Sequence, residues 1–513
     1  METLPVPVAG ALRAGAARTA LEPPLGLPML GFVRQPSTAD GYGLPLEATA
    51  LVLEQGDTRV VLCGVDVVGI GEPDISRLID RVAEATGADP SGVLLNWNHT
   101  HLAPPGGGEL GCLTGPPDEV RDEAAARFAG VLQDKVVAVC RLAADRLEPA
   151  AVLWGVGAAD LAVNRRERRA DGRTILGWNP LELVDNRITV LQVRRPDETA
   201  IGTLVSYGCH PVTTGYDMSI YSADYPGALR ELVRSTTGGE AIFFQGAAGN
   251  VLPRVSMTDD EDEAVRLGRA IALEALSTVA GRYAVPRRIV RQDEGSVTPI
   301  STYRFAVDSD ARPPVLAAAS QLVEFPLLPL PSLEEIRSLR AEFDAALAAA
   351  EASGDYGQVK VAWFHAGWAR HTEQQLLDGT APTHASGRIH AVRIGDGVIV
   401  TGPGETFTEI GLAVKERAPG RPTLYCGYTN GAVAYFSTAA EYPYGGYEPD
   451  YSSRTYGLPA QVGPESERLL VETGVRLAES LFPDAEAWPA DSGWLATDSV
   501  PEFAVEKLER PLG

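Results

Sequence analysis

Val93-Leu94-Leu95-Asn96-Trp97-Asn98-His99-Thr100-His101 is an apolar run that ends in two imidazoles. As a buried strand it delivers both histidines at its carboxyl end. In an extended backbone residues i and i+2 point to the same side, so both rings are expected to face one cleft. Pro104-Pro105 and Gly106-Gly107-Gly108 follow and stop the strand. Two later runs repeat the arrangement. Ile201 to Tyr207 leads to His210-Pro211, and Gly397 to Thr401 leads to Gly402-Pro403-Gly404-Glu405, with an amphipathic helix expected just beyond.

Around these runs, short β-branched segments alternate with helical periodicity, the pattern of an α/β fold with a mixed β-sheet core flanked by helices. Strands are expected at 48–54, 58–65, 92–97, 151–156, 187–194, 200–207, 240–244, 388–394, 397–401 and 422–427, and helices over 119–146, 261–280 and 465–481. No sequence repeat and no low-complexity linker interrupts the chain, which reads as one domain over 1–513. Segment 306–387 differs: it opens with Pro313, Pro314, Pro326, Pro329 and Pro331 and continues as an Ala-rich helix from Ser332 to about Ala352. Ser332-Leu333-Glu334-Glu335 has capping-box spacing. This segment reads as an insertion or subdomain.

The 513 residues carry 44 Lys+Arg against 68 Asp+Glu, a formal charge of −24. That excess of anions argues against nucleic acid or an anionic membrane as the main partner. The 45% hydrophobic and 22% charged residues exclude bulk disorder. No apolar run reaches the roughly 20 residues of a spanning helix. Met1 to Val8 lacks the basic and apolar regions of a secretion signal, so the expected compartment is cytoplasmic. The five cysteines (Cys63, Cys112, Cys140, Cys209, Cys426) are scattered without Cys-x-x-Cys, which suits neither a disulfide framework nor a thiolate metal site. Cys63 and Cys140 read as buried thiols.

The seven histidines concentrate the chemistry. His99, His210 and Glu405 each follow a separate strand at its carboxyl end, where open α/β sheets form ligand crevices. Two imidazoles and a carboxylate have the composition of a catalytic zinc site with one position left for water, and they also suit non-haem iron. Glu405, near a helix N-terminus, is expected to stay ionised. The competing reading is structural: a strand-end histidine can simply be a hydrogen-bonded core residue, and these separations are not a local motif such as His-Glu-x-x-His. His365 and His371, near Trp363 and Trp368, together with His384 and His390, read as structural.

The sequence resembles the neutral (non-lysosomal) ceramidase family along nearly its whole length. The resemblance rests on Gly15-Ala16-Ala17-Arg18-Thr19 with Gly31, Asn98-His99-Thr100-His101, Asn164-Arg165, His210-Pro211 and Asp224-Tyr225-Pro226-Gly227. It continues through Gln245-Gly246-Ala247-Ala248-Gly249-Asn250, Pro403-Gly404-Glu405, and Tyr435-Phe436-Ser437-Thr438-Ala439-Ala440-Glu441-Tyr442 with Tyr447-Glu448. The resemblance implies a ceramidase-like catalytic domain with a zinc ion held by His99, His210, Glu405 and Tyr435. It implies catalytic roles for His101, Arg165 and Tyr447, with Asn98 and Asn250 at the substrate. Without it, Tyr435 and Tyr447 read as ordinary aromatic core or turn residues.

The departures bear on substrate. Where the family carries an active-site serine, this chain has Gly249-Asn250-Val251-Leu252-Pro253, and leucine cannot donate, accept or attack. The family's Ser-Gly-Pro-Gly-Gly is replaced by Leu102-Ala103-Pro104-Pro105-Gly106, and the family's C-terminal immunoglobulin-like domain is expected to be missing. The expectation is therefore a zinc-dependent hydrolase that cleaves an amide in an N-acylated small molecule or lipid. The alternatives are an ester, lactone or glycosidic bond at the same metal site, or a non-catalytic ligand-binding protein. The sequence does not address oligomeric state.

Overall fold

Strands Thr58–Val65 and Val93–Trp97 pair in parallel, and helix Asp74–Thr86 crosses between them. The same unit recurs twice. Ala200–Tyr207 and Glu240–Gln245 are joined by helix Tyr225–Thr237, and Gly397–Thr401 and Thr423–Cys426 by helix Thr408–Arg417. Each parallel pair then extends by antiparallel strands into its own sheet: Glu47–Gln55 and Arg13–Ala20 beside the first, Arg187–Arg194 and Ala151–Ala158 beside the second, His384–Ile394 and Leu316–Pro326 beside the third. A three-times repeated topology is thus built from sequence that does not repeat. The computed structural model describes residues 11–32, 38–108, 119–292 and 301–483. Met1 to Val8 and Cys112 lie outside the described residues.

The inner faces of the three sheets share one core. Leu51, Leu62 and Leu94 of the first meet Leu191, Leu204 and Phe244 of the second and Val392, Ile399 and Leu424 of the third, all fully or almost fully buried. Helices cover the outer faces: Asp74–Thr86 and Glu119–Asp145 over the first sheet, Tyr225–Thr237 and Glu261–Val279 over the second, Thr408–Arg417 and Glu465–Ser480 over the third. Parallel strands covered on both sides read as near-continuous apolar runs, which is why Val93 to Trp97 could be recognised. Cys63, Cys140, Cys209 and Cys426 are free, buried thiols.

The three units are tied together at the carboxyl ends of their second strands by one amide. Asn96, wholly buried, accepts from the Gln245 backbone N–H at 2.6 Å and donates to the Gly427 carbonyl and the Thr429 hydroxyl, both at 2.9 Å. The crevice above this junction holds the candidate site.

Segment 306–387 is woven into the third sheet. Leu316–Pro326 is the sheet's edge strand, in register with the whole of His384–Ile394, and helices Leu333–Ser353 and Tyr356–Asp378 form a hairpin between the two. The expected capping box of Ser332 and Glu335 starts the first helix.

Candidate metal centre

Each of the three βαβ units contributes one ligand-competent side chain at a strand end, and the other strand end of the same unit orients it. His99 follows Val93–Trp97, and its Nδ1 lies 2.7 Å from the carbonyl of Val68, past the end of Thr58–Val65. His210 follows Ala200–Tyr207, and its Nδ1 lies 2.6 Å from the carbonyl of Ala248, past the end of Glu240–Gln245. Glu405 follows Gly397–Thr401, and the hydroxyl of Tyr428, past Thr423–Cys426, donates to its Oε2 at 3.4 Å. Such outer partners fix the ring orientation and tautomer of metal ligands.

The expected extended backbone through His99 is not what forms. The strand ends at Trp97, and His99 adopts a left-handed φ of 69°. The Asn98 side-chain oxygen, accepting from the Thr100 N–H at 3.0 Å, closes a turn around it. The two rings still meet, with centroids 5.0 Å apart. Gly31 makes room for the second: a Cβ there would sit 2.4 Å from His101 Cγ.

The donor set fits a cation. A carbonyl oxygen only accepts, so Nδ1 of His99 and of His210 each carries a proton, and each Nε2 is the ring nitrogen turned to the crevice. Burial and the neighbouring Arg165 push His210 down to about 4, so this ring is neutral at pH 7. Yet His99 Nε2 and His210 Nε2 lie 3.2 and 3.1 Å from the same oxygen, Glu405 Oε2. Two ring nitrogens and a carboxylate oxygen therefore converge in a buried crevice. A divalent cation among them resolves that arrangement. The ring nitrogens of His99, His101 and His210 also lie within 4.8 Å of one another and could hold a metal ion together. Burial, reinforced by His99 and His210, pushes His101 well below the usual imidazole range.

Glu405 and Tyr435 are register partners in a short parallel bridge between Glu405–Thr406 and Tyr435–Phe436. Arg165, buried on strand Ala162–Arg168, spans the site. Its Nη2 donates to the Tyr435 hydroxyl at 3.0 Å, its Nη1 lies 3.4 Å from His210 Nε2, and its Nε donates to Glu448 at 2.8 Å. Glu448 also accepts from Arg166 Nη1 at 2.6 Å. The Tyr447 ring packs edge-on against Tyr435 at 5.4 Å, and its hydroxyl bonds Thr455.

The structure thus brings His99, His101, His210, Glu405, Arg165, Tyr435 and Tyr447 together. Asn98 and Asn250 are buried beside the site with their amides turned to the scaffold. Asn98 donates to the Ala223 carbonyl at 3.3 Å, while Asn250 donates to Glu409 at 2.9 Å and accepts from the Thr408 N–H at 2.9 Å. Leu252 is packed in the strand opposite Val163. Two tyrosines at the site were missed: Tyr428 and Tyr456, whose hydroxyls reach the two oxygens of Glu405. Tyr428 lies just past a strand end, so the rule that found His99 also covers it. No sequence signal marks Tyr456.

A cavity of about 40 Å³ lies over the cluster, room for about three waters. His99, His101, Glu405, Tyr428, Tyr435 and Tyr447 are in its walls. Past Gly431, Ala432 and Tyr456, which line both spaces, lies a cleft of about 1040 Å³. No described helix is long and apolar enough to cross a membrane.

No protein-family model matches the chain, and no curated protein matches it in sequence. Solved structures do. A neutral ceramidase from Pseudomonas aeruginosa aligns with a TM-score of 0.64 at 17% identity, over 94% of this chain and 75% of that one. A ceramidase complexed with C2 aligns at 0.61 and 17% identity, over 94% and 76%. At this identity the likeness establishes a shared α/β fold.

Proposed function

We propose that this chain is a metal-dependent hydrolase that cleaves an amide bond in an N-acylated small molecule or lipid, with zinc as its metal. The observation that carries the reading is the approach of His99 Nε2 and His210 Nε2 to one oxygen of Glu405, at 3.2 and 3.1 Å. The shared fold with ceramidases supports the choice of an amide.

In this reading His99, His210, Glu405 and Tyr435 hold the cation, and bound there it acts as a Lewis acid towards water and a scissile carbonyl. Arg165 keeps the Tyr435 oxygen in a cationic field, and Glu448 fixes the guanidinium in turn. His101 and Tyr447 stand over the same small cavity. His101 is the group to donate to the developing oxyanion or to return a proton to the leaving amine, and a single such donor is typically worth about 3 kcal/mol. Asn98 and Asn250 act through the backbone they hold: Asn98 shapes the turn at His99, and Asn250 ties the His210 unit to helix Thr408–Arg417.

The test is metal analysis of the purified protein, followed by a hydrolysis panel of N-acyl amines, N-acyl amino acids, esters, lactones and glycosides. Turnover of amides that a chelator abolishes and zinc restores is the expected result. Chelator-insensitive turnover, or iron in place of zinc, overturns the assignment. Turnover confined to esters, lactones or glycosides keeps the metal and changes the bond.

A further inference from the structure

The cleft that adjoins the metal centre carries an unusual balance of charge for a chain of net charge −24. Arg388, Arg454, His371 and His384 line it, against Glu72 as the one carboxylate among its described lining residues. Arg388 projects from the exposed face of strand His384–Ile394, and Arg388 Nη1 donates to the Ser320 hydroxyl at 3.2 Å. Arg454 is half-buried with its guanidinium 4.7 Å from the Trp368 ring centroid, and its Nη1 donates to His365 Nδ1 at 2.9 Å. Neither arginine has a carboxylate within 4.0 Å among the described residues, although Glu342 lies near enough to attract Arg454, whereas the buried Arg165 and Arg166 are both paired with Glu448. Arg454 is also placed by the site itself: two residues on, Tyr456 donates its hydroxyl to Glu405 and lines both cavities.

We infer that this cleft receives an anionic group, a carboxylate or a phosphate, that the substrate carries away from its scissile bond, and that Arg388 and Arg454 select it. A guanidinium without a carboxylate partner presents its donor fork to an incoming oxyanion at no cost of breaking an existing pair. Trp368 and Phe343, with ring centroids 4.7 and 5.1 Å from the guanidinium carbon, and the bond to His365 hold the Arg454 fork in place before the ligand arrives. The inference deepens the proposed function and rests on it, because it treats the cleft as the approach to a hydrolytic site.

The experiment is calorimetric titration of the chelator-stripped protein, in which no turnover occurs. Three probes differ only at the polar end: N-octanoylethanolamine, N-octanoylglycine and N-octanoyl-O-phosphoethanolamine. At least one anionic probe is expected to bind about tenfold or more tightly than the neutral one. Arg388→Gln and Arg454→Gln are each expected to bring that ratio down severalfold, and salt at about 0.5 M to compress it. Arg388 is exposed, so its variant tests the inference even if the Arg454 variant fails to fold. Preference for the glycine probe assigns a carboxylate, and preference for the phosphate probe assigns a phosphate. Equal binding of all three probes, or a preference unchanged in Arg388→Gln, overturns the inference. Selective anion binding without any hydrolysis of the same compounds in the zinc-loaded enzyme would instead sink the hydrolase reading and leave the cleft assignment standing.

Discussion

Replacing Asn96 by alanine is expected to destabilise the protein by roughly 3–5 kcal/mol, although Asn96 touches neither metal nor substrate. Its amide links the second strands of all three βαβ units. Deleting it strands the Gln245 backbone N–H, which is wholly buried and donates to Asn96 at 2.6 Å. An orphaned buried donor costs about 1–3 kcal/mol. The lost bonds to the Gly427 carbonyl and the Thr429 hydroxyl, both 2.9 Å, add about 1 kcal/mol each. Asn96→Asp should behave differently: it keeps an acceptor for Gln245 but turns a donor into an anionic oxygen aimed at the Gly427 carbonyl, so its penalty should grow as pH rises. The assay is equilibrium denaturation followed by tryptophan fluorescence, with Asn186→Ala as a control. Among the described residues the Asn186 amide reaches only exposed Asp160, and its loss should stay within about 0.5 kcal/mol. An Asn96→Ala midpoint as close to wild type as that control would refute the idea that one amide locks the crevice together.

His99→Ala and Glu405→Ala should each abolish metal binding and activity together; metal content and turnover read on the same preparations check this. Tyr456→Phe removes the hydroxyl donated to Glu405 and should weaken metal affinity by about tenfold, as loss of an outer partner does, with little change in thermal midpoint. His390 is wholly buried with Nδ1 on the Ser91 carbonyl at 3.0 Å, and burial pushes it down to about 4. A folded pKa below the unfolded value means that its contribution is present above about 6.5 and is lost as pH falls from there towards 4. Thermal midpoints of the chelator-stripped protein across that range should fall on acidification, and His390→Gln should flatten the slope.

The parallel strands were legible because burial on both faces forces unbroken apolar runs, as in Val93 to Trp97 and Gly397 to Thr401. Strand Arg13–Ala20 was not among the expected strands. It is Ala- and Gly-rich because helix Glu119–Asp145 packs directly over it: a Cβ at Gly15 would lie 2.3 Å from the Ala143 carbonyl. Tertiary packing there overrides strand propensity. Helix Asp74–Thr86 did carry a readable signal, with Ile75, Leu78, Val82 and Ala83 buried at spacings of three, four and one. At the site, one rule about strand ends named His99, His210 and Glu405 as candidates, while their convergence depends on how three separate sheets pack and is not written in the spacing. Tyr435 and Tyr447 needed the family resemblance, because an aromatic in a turn looks the same whether it faces a core or a cavity. Tyr456 comes from a short helical turn with no periodicity to mark it.

The proposed function requires His99, His210 and Glu405, joined by Tyr435, to share one divalent cation. Anomalous diffraction at the zinc edge from crystals of the purified protein tests it directly. One peak per chain is expected, about 2.0–2.2 Å from His99 Nε2, His210 Nε2 and a Glu405 carboxylate oxygen. A zinc-soaked crystal with no peak among those atoms, or with zinc bound only elsewhere, would contradict it.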